Sequence, residues 1–388
     1  MKHTLVQDTI RNEDIDSLIE WLSTYPRLTK GPLTVEFEKL WAEWLGTKHA
    51  VFVNSGSSAN LLILSSLIES GKISRGSKVV VPAVSWATDL APVMQLGLEP
   101  ILCDCNLDDL SIDLSYFEEI CATQGPECLM LVSVLGIVPD MDRIVDICKR
   151  YNVTLVEDTC ESFGSCYKQK KLGNFGIAST FSTYFGHHLS TIEGGVVATN
   201  DTELYNVLLS IRSHGWLRDC TEDFKKSKNE PWSVSDFASQ YTFHYPGFNL
   251  RATDLQAFLG IRQLNYANSV SDTRSDNFNS YVNNISTKLW RPKTQDNSFV
   301  SSFCYPVICQ NRQELVSELH KNGIESRPLI AGSMARQPFF INRYGSDAVL
   351  NNADIVHKFG MYIPNNHRMT ESDIKFITNV VNDIARPI

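Results

Sequence analysis

Between residues 49 and 200 the chain alternates short β-branched runs with segments of helical spacing, and no other feature restricts its fold as much. "HAVFVNSG" (49–56) is an apolar run closed by a small-residue turn, and "SSANLLILSSLIES" (57–70) continues it at helical intervals. "KVVVPAVSW", "EPILCDC", "CLMLVSVLG" and "VTLVEDTCE" repeat the strand pattern, separated by helix-like stretches such as "MDRIVDICKRYN" (141–152). A strand followed by a helix returns to the same end of the sheet, so neighbouring strands pair in parallel. The expected fold is α/β with a mainly parallel sheet, and ligands should gather at the carboxyl ends of its strands.

Near 219 the pattern changes. "DCTEDFKKSKNEPWSVSD" is polar and irregular, and "YTFHYPGFNLRATDLQAFLGIRQL" leads through Pro-Gly into a long helix that starts at Thr253 and Asp254. Further on come strand-like "FCYPVIC" (303–309), helix-like "RQELVSELHKNG" (312–323) and a C-terminal helix starting near 371. A chain of 388 residues exceeds the usual single core. The expected division is a large domain over 1–250 and a smaller α/β domain over 251–388.

Charge narrows the partners. The formal net charge is -9, and the densest basic stretch, "YKQKKLG" from 167, is short, which argues against a nucleic-acid footprint. "MKHTLVQDTIRNEDIDSLIEWL" has no apolar stretch of the signal-peptide kind and no run reaches membrane-span length, so a cytoplasmic protein is expected. The ten cysteines are scattered without a CxxC pair. Cys103 and Cys105 come closest to a pair, but no further cysteine or histidine follows at metal-ligand spacing, so no metal site and buried, reduced thiols are expected.

Three stretches could carry chemistry. "NSGSSANLL" (54–62) ends a strand and opens a helix, a place suited to a phosphate or equally to an ordinary serine-capped turn. "TLVEDTCESFG" (154–164) puts Asp158 and Glu161 just after a strand, where a carboxylate could hold a protonated ring nitrogen or cap a turn. "FSTYFGHHLSTIEGG" (181–195) holds Ser182, His187 and His188. Adjacent histidines diverge, so at most one of them faces a given site, and a purely structural histidine remains the alternative.

In this order and spacing the three stretches resemble the sugar aminotransferases of the DegT/DnrJ/EryC1/StrS family. The resemblance runs from "LTKGPLTVEFEKLWAEWLGTKHAVFVNSGSSANLL" (28–62) through "VVVPAVSWATDLAPVMQLGLEPILCD" (79–104) and "VEDTCESFGSCY" (156–167) to "PGFNLRATDLQAFLGIRQL" (246–264), with "GIESRPLIAG" (323–332) beyond. It implies an aspartate aminotransferase-like fold (fold type I) with pyridoxal 5′-phosphate or pyridoxamine 5′-phosphate as cofactor. It further implies that Gly56, Ser57 and Ser182 bind the phosphate, that Trp86 stacks on the ring, and that Asp158 pairs with the ring nitrogen. Glu161 falls where the family usually has a glutamine near the ring hydroxyl. Asn249 would reach the phosphate in a neighbouring copy, which implies a homodimer with shared sites.

One position departs from the aminotransferase pattern. Their lysine lies five residues after the serine and six before the glutamate, and counting from Ser182 and from Glu193 both lead to His187. Imidazole cannot form the usual Schiff base. This substitution, with "RSHGWLRDC" (212–220) nearby, is similar to the sugar 3-dehydratases of the same family. Iron-sulfur members carry several cysteines after such a stretch, whereas here Cys220 is alone between 167 and 303. The resemblance therefore implies loss of the C3 hydroxyl from a nucleotide-linked 4-keto-6-deoxyhexose, with His187 moving the proton and L-glutamate restoring the amine form of the cofactor. Arg251 and Arg327 are candidates to hold a carboxylate. A nucleotide-sugar aminotransferase using a displaced lysine (Lys168, Lys170 or Lys171) and a catalytically silent sugar-binding relative are the alternatives.

Overall fold

The computed structural model describes residues 1–346 and 348–388. Its strands are β1 His49–Val53, β2 Lys78–Pro82, β3 Glu99–Cys103, β4 Cys128–Val132, β5 Thr154–Asp158, β6 Cys166–Tyr167, β7 Lys170–Lys171, β8 Ala178–Ser182, β9 Gly195–Thr199, β10 Ser298–Phe299, β11 Tyr305–Ile308, β12 Arg327–Pro328 and β13 Gly360–Ile363. Seven of them form one sheet in the order β1-β9-β8-β5-β4-β2-β3. From β3 to β8 every pairing is parallel, whereas β9 runs against both of its neighbours, β8 and β1. The carboxyl ends of β1, β2, β4, β5 and β8 consequently share one edge. Helices cover both faces, which is why Val79, Val80 and Val81 have no exposed surface and the strands read as continuous apolar runs.

The helix Gly56–Glu69 is buried on nearly all sides, in keeping with its run of Leu and Ile and its small serines. Ser55 starts it by accepting the Ser58 N–H at 3.0 Å. On the far side of the sheet, Trp41 packs edge-on against Phe37 and Phe181 and lies 5.5 Å from Phe163, measured between ring centres. This aromatic layer supports the 181–195 segment from below.

A second sheet, β11-β13-β12, is antiparallel. The first residues of the chain join it: His3 bridges Ile324, and the Leu5 N–H donates to Glu325 at 3.0 Å. The helix Asp254–Leu264 packs along Pro32–Leu45, and Asp254 accepts the N–H groups of Gly31 at 2.8 Å and Thr34 at 2.9 Å. A third small sheet, β10-β6-β7, contains a hairpin whose turn residues Lys168 and Gln169 are both left-handed, with φ of 49° and 65°.

All ten cysteines are free; Cys160 and Cys166 are only partly buried, which corrects the expectation of uniform burial. Among the described residues no helix is long and apolar enough to cross a membrane, and no cluster of three His, Cys, Asp or Glu could hold a metal.

Candidate active site

The shared strand edge has a cradle at one end. A Cβ placed on Gly56 would lie 2.8 Å from Ser182 Cβ and 3.2 Å from Cys160 Sγ, so the helix start, the end of β8 and the loop after β5 meet there. A Cβ on Gly195 would lie 2.6 Å from the Gly56 nitrogen, which accounts for the Gly-Gly exit of the 181–195 stretch. Gly56 and Ser57 occupy the first helical turn, where N–H groups have no partner within the helix. With the Ser182 hydroxyl beside them, these N–H groups have the chemistry to receive an anion.

The floor is built from carboxyl groups. Asp158, at the end of β5, accepts the Cys160 N–H at 2.8 Å and the Asn60 side-chain amide at 2.7 Å. Asn60 in turn accepts the Thr180 hydroxyl at 2.6 Å and reaches Asp89 at 3.2 Å. Asp89 accepts the Trp86 N–H at 2.8 Å, which fixes the start of the helix Ala87–Gln95 and leaves the Trp86 side of that start 55% exposed. Glu161 accepts the Leu135 N–H at 2.7 Å, and Leu135 adopts a left-handed φ of 53° to present it. Burial pushes the Glu161 carboxyl up to about 8, the Leu135 N–H opposing and the Asp158 charge adding to the shift. A neutral Glu161 offers an O–H donor, much as the amide of a glutamine offers an N–H.

Above the floor, residues 183–194 form a loop closed by Thr183 and Thr191, whose hydroxyls lie 2.5 Å apart. The neighbouring histidines separate within it. His188 is 1% exposed, bonds the Ser301 carbonyl at 3.0 Å and lies 5.7 Å from the Phe163 ring, in the aromatic layer. His187 is only partly buried, and its ring lies 5.1 Å from that of Phe303. Its Nδ1 has no hydrogen-bond partner among the described residues. Burial lowers the His187 ring to about 4; the Asp158 charge raises it, Arg274 lowers it further and the Cys160 carbonyl pulls it back. His187 is thus a neutral imidazole within electrostatic reach of Asp158.

The remaining candidates lie at the margins. Arg327 is exposed and paired with Glu325 at 2.6 Å; it stands opposite Tyr362, whose ring is 6.3 Å from Phe303, and so borders the His187 side. Asn249 and Arg251 lie together at the cradle end, where Arg251 bridges Val53 and donates to Asn249 at 2.9 Å. The three lysines are held elsewhere. Lys168 pairs with Asp142 at 2.5 Å, Lys170 lies over Phe175, and Lys171 bonds the Trp44 carbonyl.

Sequence reasoning passed over Asn60, Asp89, Thr180 and Arg274. Asn60 left a signal, the one amide side chain in a largely buried helix whose other polar residues are serines and a terminal glutamate. Arg274 left none: it is 1% exposed, bonds the carbonyls of Phe303 and Asn365, and comes from a helix far along the chain.

A mostly parallel sheet flanked by helices, with a helix-start cradle and a buried carboxylate at its carboxyl edge, is the aspartate aminotransferase-like α/β fold. Residues 8–382 match the DegT/DnrJ/EryC1/StrS aminotransferase family, and the chain belongs to that family. Among its relatives, GDP-4-keto-6-deoxy-D-mannose 3-dehydratase of Yersinia pseudotuberculosis is 33% identical over 362 residues, 91% of each chain. The Escherichia coli GDP-4-keto-6-deoxy-D-mannose-3-dehydratase, solved with bound hydrated PLP, superposes with a TM-score of 0.89 at 30% identity, covering 97% of this chain and 98% of that one. A GDP-4-keto-6-deoxymannose-3-dehydratase with a trapped PLP-glutamate geminal diamine gives a TM-score of 0.88 at 29% identity, over 97% and 99%.

Proposed function

We propose that this chain is a nucleotide-sugar 3-dehydratase that takes pyridoxal 5′-phosphate and its amine form as cofactor. By the likeness of its relatives, its substrate is GDP-4-keto-6-deoxy-D-mannose and its amino donor L-glutamate. The single observation that carries the reading is His187, an imidazole within electrostatic reach of Asp158 where the sequence resemblance puts the aminotransferase lysine, while Lys168, Lys170 and Lys171 are engaged elsewhere.

The residues fit the cofactor. Gly56, Ser57 and Ser182 would hold its phosphate, the Trp86 side chain would cover its ring, Asp158 would keep the ring nitrogen protonated and Glu161 would donate to the ring hydroxyl. When bound, the cofactor supplies an amine that condenses with a ketone and a ring that draws electrons from the adjoining carbon. His187 accepts the proton released there and, as imidazolium, hands it to the departing C3 hydroxyl. Arg251 and Arg327 are the guanidinium groups available for the glutamate carboxylate or the substrate.

The same reading includes a homodimer in which Asn249 completes the neighbour's phosphate site. Its support is the apolar rim of the cleft: Tyr184 and Phe185 are each 41% exposed and Ile192 is 50% exposed, which suits coverage by a second copy. A cytoplasmic location accords with ten free cysteines. The division into domains at 250 is kept as part of the proposal.

The test is incubation of the purified protein with pyridoxal 5′-phosphate, L-glutamate and a panel of nucleotide-linked 4-keto-6-deoxyhexoses, followed by mass analysis. The expected product is a keto sugar lacking one oxygen, with ammonia and 2-oxoglutarate released in equal amounts. An amino sugar would contradict the reading in favour of aminotransfer. Cofactor binding without turnover on any substrate would favour the silent relative.

A further inference from the structure

The floor of the cleft holds more hydrogen-bond acceptors than donors. Asn60 Nδ2 carries two hydrogens, yet three acceptors surround it: the Thr88 carbonyl at 3.0 Å, Asp89 Oδ1 at 3.2 Å and Asp158 Oδ2 at 2.7 Å. Turning the amide round would not help, because Asn60 Oδ1 already accepts the Thr180 hydroxyl at 2.6 Å. The other carboxyl oxygens are served by backbone, Asp89 Oδ2 by Trp86 and Asp158 Oδ1 by Cys160.

Both carboxyls are buried, Asp89 at 1% exposure and Asp158 at 6%. If both were ionised, two like charges would converge on one nitrogen and one acceptor would go unserved; such pairs hold a proton between them. The ionisable groups that bear on Asp89 are Asp158, from β5, and Glu161, from the loop after it; both are carboxyls, and neither can supply a positive charge. Burial first, and Asp158 second, push the Asp89 carboxyl well above the usual range.

We propose that Asp89 is held as the neutral acid and donates its proton to Asp158. It is then a positioning residue: it leaves Asp158 as the one charge on the floor and anchors the start of the Trp86 helix through its second oxygen. The shared proton is a property of the chain itself, whereas its consequence for the cofactor ring rests on the function proposed above.

The test begins with cofactor-free protein in a Glu161→Gln background, so that Glu161 contributes no carboxylic acid. The infrared difference between this protein and the same protein carrying Asp89→Asn should show the loss of one buried, protonated carboxylic acid. A difference spectrum without that loss would overturn the proposal, whatever the reaction proves to be. A second measurement uses the loaded protein. Asparagine at 89 can still donate to Asp158 and accept from Trp86, so Asp89→Asn should keep the cofactor dissociation constant within about threefold, while Asp89→Ala should raise it about tenfold or more. Equal damage from the two substitutions would also overturn it.

Discussion

The floor of the cleft and the loop above it lie side by side but are built to opposite specifications. On the floor, Asp158, Asn60, Asp89 and Thr180 are locked to one another and to backbone, each within 3.2 Å of a partner. In the loop 183–194, Tyr184, Phe185 and Ile192 are exposed and His187 Nδ1 has no partner among the described residues. A group that must hold one charge in one place gains from rigid, saturated contacts. A group that must gain and lose a proton needs a nitrogen that no neighbour already occupies. The adjacent pair makes the same contrast within two residues, since His188 is tied into the aromatic layer and His187 is not.

The largest expected effect separates those two histidines. His187→Asn keeps comparable size but removes the titrating nitrogen, and turnover should fall by a factor of about 10²–10⁴ while cofactor binding survives. His188→Asn should cost stability and leave turnover per folded molecule nearly unchanged. Steady-state assay together with thermal unfolding of both variants checks this, and the reverse pattern would break the contrast.

The next effect belongs to the floor. Asp158→Asn removes the charge proposed to face the ring nitrogen, and the cofactor dissociation constant should rise about 10- to 100-fold, the worth of one charge-assisted hydrogen bond. Titration of the cofactor into the stripped variant measures it; unchanged affinity would take Asp158 out of the site.

The smallest effect is a slope. The Glu161 carboxyl is raised in the folded chain from the ordinary 4.5 to about 8, so the folded state binds the extra proton. Its contribution to stability is fully present below the ordinary value and is lost as pH rises through that window to about 8. Glu161→Gln should flatten this loss in urea midpoints measured against pH. A slope identical to that of the parent would show that Glu161 is ionised throughout.

How much of this was legible follows from where the residues come from. Strands β1 to β5 could be read because each is a short, largely apolar run bounded by helical spacing and small residues. The reversal of β9 could not, because "GVVATN" is equally apolar in either direction and its pairing is decided by β8 and β1 on each side. Nor could the pairing of residues 3–5 with 324 and 325, a contact across almost the whole chain. At the site, Gly56, Asp158, Ser182 and His187 each sit in a local motif at the end of a strand. Asn60, Asp89 and Thr180 do not; they matter only because a helix, a helix start and a strand converge on one point, and no short stretch records that convergence.

The central claim is that chemistry at position 187 proceeds through an imidazole rather than through a covalent bond between lysine and cofactor. Borohydride reduction of the protein loaded with pyridoxal 5′-phosphate, followed by denaturation and peptide mass mapping, tests it most directly. The account predicts that the cofactor leaves with the small molecules and that no lysine peptide carries its mass. A stable reduced adduct on any lysine peptide would contradict it.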